Sequence, residues 1–202
     1  MLTQANSNGR IVPFCTVNMA DGKAETEIER CAGLGARGLG ELRPESQGWD
    51  LNGEPGERLA ALAQRYDLVL LFHVTEPVGH SYPGKQGGRL DAFYEFAARH
   101  PQVATVGAHL AGGLPFYASM PEVDRAFTHL HLDTAAQPLL YERSVYGQLD
   151  RLVGPERVLL GSDYPLISQQ RQIKEVRSSV SDAEAQRLIL GSNAERLLRA
   201  RR

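Results

Sequence analysis

The sequence predicts an α/β fold, a barrel of the TIM type in which parallel strands alternate with helices, with about six of the eight strands present. Its clearest sign is the segment 158–165, VLLGSDYP, where an apolar run stops at Asp163. A buried parallel strand ends in this way at the catalytic edge of such a barrel. Five earlier strand ends are predicted at Val17, Glu41, His73, His109 and Asp133. Successive ends are 24 to 36 residues apart, about one strand and one helix per step.

The elements follow one another as short apolar runs and longer amphipathic segments. The earlier strands are predicted at 10–17, 38–42, 68–73, 106–109 and 130–133. The helices are predicted at 24–35, 55–66, 88–100 and 139–152. The helix at 88–100 has the strongest pattern, because its apolar residues share one face and Pro101 ends it. Parallel strands need crossovers of this kind.

The C-terminal region predicts two short helices rather than one long one. Ser181 with Glu184, and Ser192 with Glu195, have the spacing of capping boxes. Gly191 lies between the two patterns and separates them.

The composition is that of one globular domain, 1–202. A net charge of −2 gives no basic footprint for nucleic acid and disfavours an anionic membrane. The basic segment 196–202 is interpreted as solvating a last helix. No apolar stretch reaches the roughly 18 residues of a membrane span, and no signal peptide is visible. With Cys15 and Cys31 interpreted as reduced thiols, these features favour a cytoplasmic protein.

Two strands are missing from a closed barrel, and they should precede Arg10. Only nine residues lie before it. Either the gene product begins inside the barrel, or another chain or an unusual arrangement covers the opening. Open strand edges beside an apolar core are unfavourable, so we expect a homo-oligomer rather than a monomer.

Histidines and acids that collect at one edge of a barrel are typical of a divalent metal site. Zn²⁺ takes nitrogen and oxygen ligands from such side chains and leaves a position for water. The bound water loses a proton near neutral pH and attacks a substrate without a Ser or Cys nucleophile, and a nearby carboxylate carries the proton onward. The pattern therefore predicts a metal cofactor, with zinc the first choice, and a small-molecule substrate.

Six motifs stand in an order that is specific as a set. They are GARGLGELRP (35–44), FHVTEPVGHSYPGK (72–85), GAHLAGGLPFY (107–117), LDTAA (132–136), LLGSDYP (159–165) and GSNAERLL (191–198). Together they resemble the amidohydrolase superfamily, in particular its amidohydrolase-related branch of metal-dependent hydrolases and decarboxylases. The resemblance runs from about Arg10 to Leu198 and implies a TIM-type barrel.

The resemblance also implies roles for individual residues. His73 and His109 resemble the two mid-barrel histidine ligands, and Asp163 resembles the late aspartate that binds metal and acts as general base. Glu41 resembles the glutamate that some relatives use as a bridging ligand, and an ion pair with Arg43 is the alternative. The family's His-x-His on its first strand, which supplies two ligands, has no counterpart before Arg10.

Three functions stay open at this point. The resemblance implies hydrolysis of an amide, ester or lactone-like bond of a small molecule by metal-activated water. A metal-dependent decarboxylase is one alternative. A catalytically impaired truncated homologue or small-molecule-binding protein is the other, because a site needs both ligand count and geometry.

The long loop after His73 supplies the predicted substrate contacts, at His80, Tyr82 and Lys85. For each of these residues, the alternative is a solvated loop or a packing role. A His-x-His does occur later, at His129 and His131, and we interpret it as a decoy. The alternative is that the pair lines the barrel interior or replaces lost ligands.

Overall fold

The structure is a computed structural model that describes residues 11–199, and its centre is one six-stranded parallel sheet. The strands lie side by side in chain order. They are β1 Phe14–Cys15, β2 Gly38–Leu42, β3 Val69–Phe72, β4 Thr105–Gly107, β5 Leu130–Asp133 and β6 Val158–Leu159. The predicted α/β architecture with six parallel strands is therefore confirmed.

Helices connect the strands. They are α1 Ala24–Gly33, α2 Glu54–Tyr66, α3 Leu90–Arg99, α4 Pro121–Ala126, α5 Gln137–Leu140, α6 Val145–Leu152, α7 Gln169–Ser179, α8 Ala183–Arg187 and α9 Asn193–Leu198. The first three predicted helices are confirmed within about two residues. The single helix predicted over 139–152 is wrong, because the chain forms α5 and α6 with an extended residue, Tyr141, between them. Within 11–199, no helix combines the length and apolar character needed to cross a bilayer.

The two faces of the sheet carry different cores. On β3, Leu70 and Phe72 point towards the outer helices, whereas Val69 and Leu71 point to the inner face. The ring of Phe72 packs 5.7 Å from that of Phe93 and 5.3 Å from that of Phe96, both on α3. The outer core therefore fixes the backbone of β3 from one side.

The inner face is covered by the last helix. The buried core of this inner face consists of Val69, Val106 and Leu159, and Leu197 and Leu198 of α9 pack against it. Asn193, at the start of α9, donates from its side-chain amide to the carbonyl of Pro155, three residues before β6, and to that of Val158, its first residue, each at 2.8 Å. The C-terminal helix therefore closes the amino end of the sheet and leaves the carboxyl end open for a site.

The two C-terminal helices are confirmed, but their predicted caps are wrong. Asp182, not Ser181, caps α8, because its carboxylate accepts from the backbone N–H of Ala185 at 2.7 Å. Ser192 does not cap α9, because its hydroxyl accepts from Arg187 at 2.7 Å. A carboxylate is the stronger acceptor and lies one residue closer to the helix.

The predicted strand end at Asp163 lies four residues beyond β6. The strand stops at Leu159 because the backbone of Gly161 bonds to a side chain instead of to the backbone of β5. The Thr134 hydroxyl donates to the Gly161 carbonyl at 3.0 Å and accepts from the Gly161 N–H at 3.1 Å. Asp163 then adopts a left-handed conformation, with φ of 59°. The other five predicted ends lie in a strand or within two residues of one.

Both outer edges of the described sheet are open. β1 pairs with β2 alone and β6 with β5 alone among the strands within 11–199. Arg10 and the nine residues before it, where a His-x-His strand was sought, lie outside the described residues, as do the last three residues of 196–202. Cys15 and Cys31 are free thiols, as predicted.

Replacing Asn193 with Ala is expected to lower the free energy of unfolding by about 2 to 3 kcal/mol, because two buried carbonyls lose their donor. Urea denaturation followed by circular dichroism measures the change. Glu195→Ala is the control: it removes an exposed ion pair between this helix and Arg199 at its end and should leave the free energy of unfolding nearly unchanged. Equal losses in the two variants would contradict the anchoring role of Asn193.

The open edges predict association of the chain with a second copy. Among the strands within 11–199, each edge strand pairs with one neighbour only, and Ile11 and Val12 near β1 have exposed apolar side chains. Sedimentation velocity is expected to show a species of at least twice the chain mass. A compact monomer at every concentration tested would contradict the prediction.

Candidate metal centre

Glu41 is brought to the carboxyl edge of the sheet by a close approach of β2 to β3. A Cβ atom on Gly40 would lie 2.6 Å from the Leu71 Cβ and 2.7 Å from its carbonyl oxygen, so only glycine fits there. The carbonyl of Leu42, the residue after Glu41, accepts from the backbone N–H of His73 at 2.9 Å. The glutamate and the histidine are thus held on neighbouring strands.

His109 is positioned by an unusual backbone turn. Its φ is 58° and ψ 50°, a left-handed conformation that costs a non-glycine residue about 1 to 3 kcal/mol. The buried carboxylate of Asp133 stabilises the turn, since one oxygen accepts from the N–H of His109 at 3.1 Å and from that of Ala135 at 2.9 Å. Asp133, one of the predicted strand ends, therefore acts as an anchor for the His109 backbone.

Three donor atoms converge at this edge. The Glu41 Oε1 lies 3.0 Å from the His73 Nδ1 and 3.3 Å from the His109 Nε2. The two ring nitrogens are 3.2 Å apart. Within the described residues, these three side chains form the one group of histidine, cysteine or acidic residues with ligand atoms close enough to share an ion.

The second nitrogen of each ring is already occupied. The His73 Nε2 lies 2.8 Å from the Gly84 carbonyl oxygen, and the His109 Nδ1 lies 3.2 Å from that of Ala135. A carbonyl only accepts, so these nitrogens carry the protons of the neutral rings. Each ring therefore presents a lone pair to the centre, as metal-binding histidines do.

The spacing fits a divalent ion. Ligand atoms about 2.1 Å from a metal are about 3.0 Å apart at right angles and about 3.4 Å apart in a tetrahedron. The observed separations of 3.0 to 3.3 Å lie within this range. Two imidazole nitrogens and one carboxylate oxygen are also a donor set that zinc and similar ions accept.

The electrostatics of the group also favour a cation. Burial opposes ionisation of Glu41, but its hydrogen bond from His109 and the nearness of His73 outweigh it and lower its pKa to about 2. Burial likewise disfavours charge on His109, but its hydrogen bond to Glu41 and the nearby Asp133 charge raise its pKa to about 9. Positive charge among the three side chains is therefore favourable, and a bound divalent ion would displace the proton from His109.

A cavity of about 440 Å³ opens in front of the cluster. Its wall is formed by His73, His80, Tyr82, Pro83, Gly84, His109, Ala136, Leu139, Leu140, Asp163 and Leu166. The predicted residues His80, Tyr82 and Asp163 thus face the same space as the two histidines. Asp163 is exposed and lies outside the three-residue cluster, so its role as a metal ligand stays a prediction.

Lys85 is placed elsewhere. Its ammonium group donates to the carbonyl of Val78 at 2.6 Å and to that of His80 at 2.9 Å, within its own loop. It is absent from the described wall of the cavity. The predicted substrate contact at Lys85 is therefore corrected: the contacts of this side chain hold the loop.

Two further alternatives are settled by the contacts. Arg43 donates to backbone carbonyls of the loop, so it is not the partner of Glu41. His129 lies outside β5, and its Nε2 is 2.9 Å from the Ala97 carbonyl on α3. His131 is buried on β5, and neither residue belongs to the described donor group, which agrees with the interpretation of the pair as a decoy.

A family comparison agrees with this geometry. The family model described as Amidohydrolase matches residues 1–200. The chain belongs to the amidohydrolase family. No curated protein matches the sequence. The resemblance seen in the motifs is thereby confirmed.

Solved structures of low sequence identity share the fold. A dihydroxybenzoic acid decarboxylase from Polaromonas, with bound manganese and an inhibitor, has a TM-score of 0.78 at 16% identity, over 100% of this chain and 73% of that one. An amidohydrolase candidate from Staphylococcus aureus has a TM-score of 0.74 at 20% identity, over 96% of this chain and 75% of that one. A Tim-barrel protein from Bordetella bronchiseptica has a TM-score of 0.77 at 16% identity, over 98% of this chain and 69% of that one. The TIM-type fold of this amidohydrolase is thus confirmed, as an open six-stranded part of a barrel.

Sequence reasoning missed the groups that orient the ligands. The Gly84 and Ala135 carbonyls belong to the backbone, so no residue type marks them. Arg43 lies in the motif GARGLGELRP, but its contact partners are 41 and 43 residues away in the chain. A sequence pattern alone could not have located them.

Removing one donor of the cluster is expected to weaken zinc binding strongly. His73→Ala and Glu41→Gln should each raise the dissociation constant more than about a hundredfold, since loss of an outer-shell partner alone costs about 10- to 100-fold. Isothermal titration calorimetry of the chelator-treated protein with zinc measures the dissociation constant. His129→Ala, which removes a histidine outside the cluster, should bind as the wild type does. Unchanged affinity in His73→Ala would contradict the assignment.

Proposed function

We propose that this amidohydrolase is a metal-dependent hydrolase that cleaves an amide, ester or lactone-like bond of a small molecule. The observation that carries the proposal is the convergence of three donor atoms at 3.0 to 3.3 Å from one another, two of which belong to histidines that line a cavity of substrate size. Glu41, His73 and His109 would hold the ion. We propose zinc, and manganese is the alternative suggested by the Polaromonas relative.

A divalent ion held there would polarise a substrate oxygen and make a water molecule acidic enough to act near neutral pH. Asp163 is the group that we propose as general base. It lies on the cavity wall with the two histidines, and its exposed carboxylate can accept a proton from water and release it to the leaving group.

The rest of the wall supports binding of a small and largely apolar molecule. Leu139, Leu140 and Leu166 present an apolar surface on one side of the cavity. Tyr82 keeps its phenol proton, because burial and the nearby Glu76 carboxylate raise its pKa, and its hydroxyl donates to that carboxylate at 3.0 Å. Tyr82 and His80 would therefore position the substrate rather than exchange protons with it.

The wall also favours hydrolysis over decarboxylation. Neither a lysine nor an arginine lines the described part of the cavity, so this wall lacks the side chains that most often pair with a substrate carboxylate. A neutral ester, lactone or amide fits this wall better. Decarboxylation stays the second candidate, supported by the structural likeness to a decarboxylase. The third candidate is a silent homologue that binds small molecules in the same cavity.

The partners and location follow from the same features. We propose a small-molecule substrate, no nucleic acid and no membrane, in line with the net charge of −2. The two free thiols support a cytoplasmic location.

The test starts from metal content and turnover of the protein as purified. We expect close to one zinc or manganese ion per chain, and hydrolysis within a panel of neutral esters, lactones and amides. Treatment with a chelator should abolish hydrolysis, and the metal should restore it. Release of carbon dioxide from aromatic acids, without hydrolysis of the panel, would select the decarboxylase. Metal binding without turnover of either panel would select the binding protein.

Asp163→Asn is expected to keep the metal and lose the activity. The amide cannot accept the proton, so kcat should fall about 10²- to 10⁴-fold on any substrate that the wild type hydrolyses. Metal content by mass spectrometry should stay at the wild-type level, because Asp163 lies outside the donor cluster. Loss of metal from this variant would instead identify Asp163 as a ligand.

A further inference from the structure

One surface loop reaches directly to the metal centre. The loop over 75–89 begins and ends at neighbouring points, because the backbone N–H of Thr75 donates to the Gly88 carbonyl at 2.8 Å and the Thr75 hydroxyl donates to it at 3.1 Å. Thr75 and Arg89 also form a parallel bridge. This is a closed loop of the kind often found at functional sites.

The loop packs against His73 without spare room. A Cβ atom on Gly88 would lie 2.5 Å from the carbonyl oxygen of His73 and 2.9 Å from its ring Cδ2. A Cβ atom on Gly87 would lie 2.0 Å from the hydroxyl oxygen of Ser46, in the segment that follows β2. The loop is therefore held between the histidine and the chain just beyond Glu41.

The Gly84 carbonyl is the point where the loop meets the centre. It accepts from the His73 Nε2 at 2.8 Å and from the Arg43 Nη2 at 3.0 Å. The same Arg43 nitrogen donates to the Gln86 carbonyl at 3.1 Å. One guanidinium group thus fixes two carbonyls of the loop, and one of them fixes the ring of a proposed metal ligand.

Arg43 has no other evident reason for its position. Among the ion pairs of residues 11–199, none includes it. Its Nε is buried without a hydrogen-bond partner. The side chain is half-buried, and the two loop carbonyls satisfy its terminal nitrogen in place of an acid.

We propose that Arg43 is a positioning residue for the metal centre. It holds the Gly84 carbonyl against the His73 Nε2, so that the ring keeps its proton on that nitrogen and presents Nδ1 to the ion. The inference rests on the proposed function, because it assigns Arg43 to the same site. Arg43 is not itself among the described lining residues of the cavity, and its hydrogen bonds go to the loop carbonyls of Gly84 and Gln86, so it acts on His73 through the loop.

The experiment compares three variants with the wild type. Arg43→Met keeps the aliphatic stem and removes all donors, and Arg43→Lys restores a charge and donors. Arg89→Gln is the matched control, because it removes an arginine at the end of the same loop that pairs with Asp91 and contacts neither Gly84 nor Gln86. Circular dichroism and thermal unfolding verify that each variant folds.

The first readout needs no metal. Nitrogen-15 NMR of the metal-free protein reports which ring nitrogen of His73 is protonated. We expect Nε2–H in the wild type and in Arg89→Gln, a mixture of tautomers in Arg43→Met, and recovery of most Nε2–H in Arg43→Lys. The second readout is zinc affinity by titration, which should fall about tenfold in Arg43→Met, the lower end of outer-shell effects.

A wild-type tautomer and wild-type zinc affinity in a folded Arg43→Met would overturn the proposal. Faster hydrogen exchange in the loop with an unchanged His73 ring would also overturn it, since Arg43 would then merely order the loop. If the tautomer depends on Arg43 but the wild type binds no zinc or manganese, the positioning role stands and the metal-dependent function fails. The two ideas are thereby separated.

Discussion

The structure depends on one constraint: three hydrogen-bond acceptors meet at the carboxyl edge of the sheet. The carboxylate of Glu41 and the facing nitrogens of His73 and His109 are 3.0 to 3.3 Å apart. With the outer ring nitrogens protonated, lone pairs at such distances repel each other unless a proton or a cation lies between them. The attraction between the Glu41 carboxylate and the histidines lowers the pKa of Glu41 and raises that of His109, so a positive charge among these atoms is favourable. The surrounding backbone serves to keep the atoms there.

That arrangement follows from the parallel sheet. β2, β3 and β4 are neighbours, so the residues at or just beyond their carboxyl ends come together although they are far apart in the chain. Phe72 is locked against the rings of α3, which fixes the end of β3 just before His73. The Asp133 carboxylate, from β5, holds the strained turn at His109. Outer core and buried polar contacts thus both set the distance between the two rings.

The sequence alone predicts those features of the site that depend on the local pattern of residues. The apolar runs that end at His73 and near His109 predicted two ligands, because strand period and strand ends are local properties. The anchoring role of Asp133, the orientation of both rings and the place of Lys85 were not predictable in this way. They depend on carbonyl groups, which every residue has, and on contacts between segments distant in the chain, such as Arg43 with Gly84. The cap at Asp182 shows the same limit on a smaller scale, since two adjacent residues could both supply an oxygen.

The open edges of the described sheet do not undermine the centre. β2, β3 and β4 each have a paired strand on both sides, whereas the unpaired edges belong to β1 and β6. Residues of α9 cover the inner face at the amino end, opposite the cluster, and pack on side chains of β3, β4 and β6. The three donors therefore lie on the best supported part of the sheet. An ion bound by them would need further ligands, which water and substrate can supply from the cavity, and a position open to water or substrate is what a hydrolytic site requires.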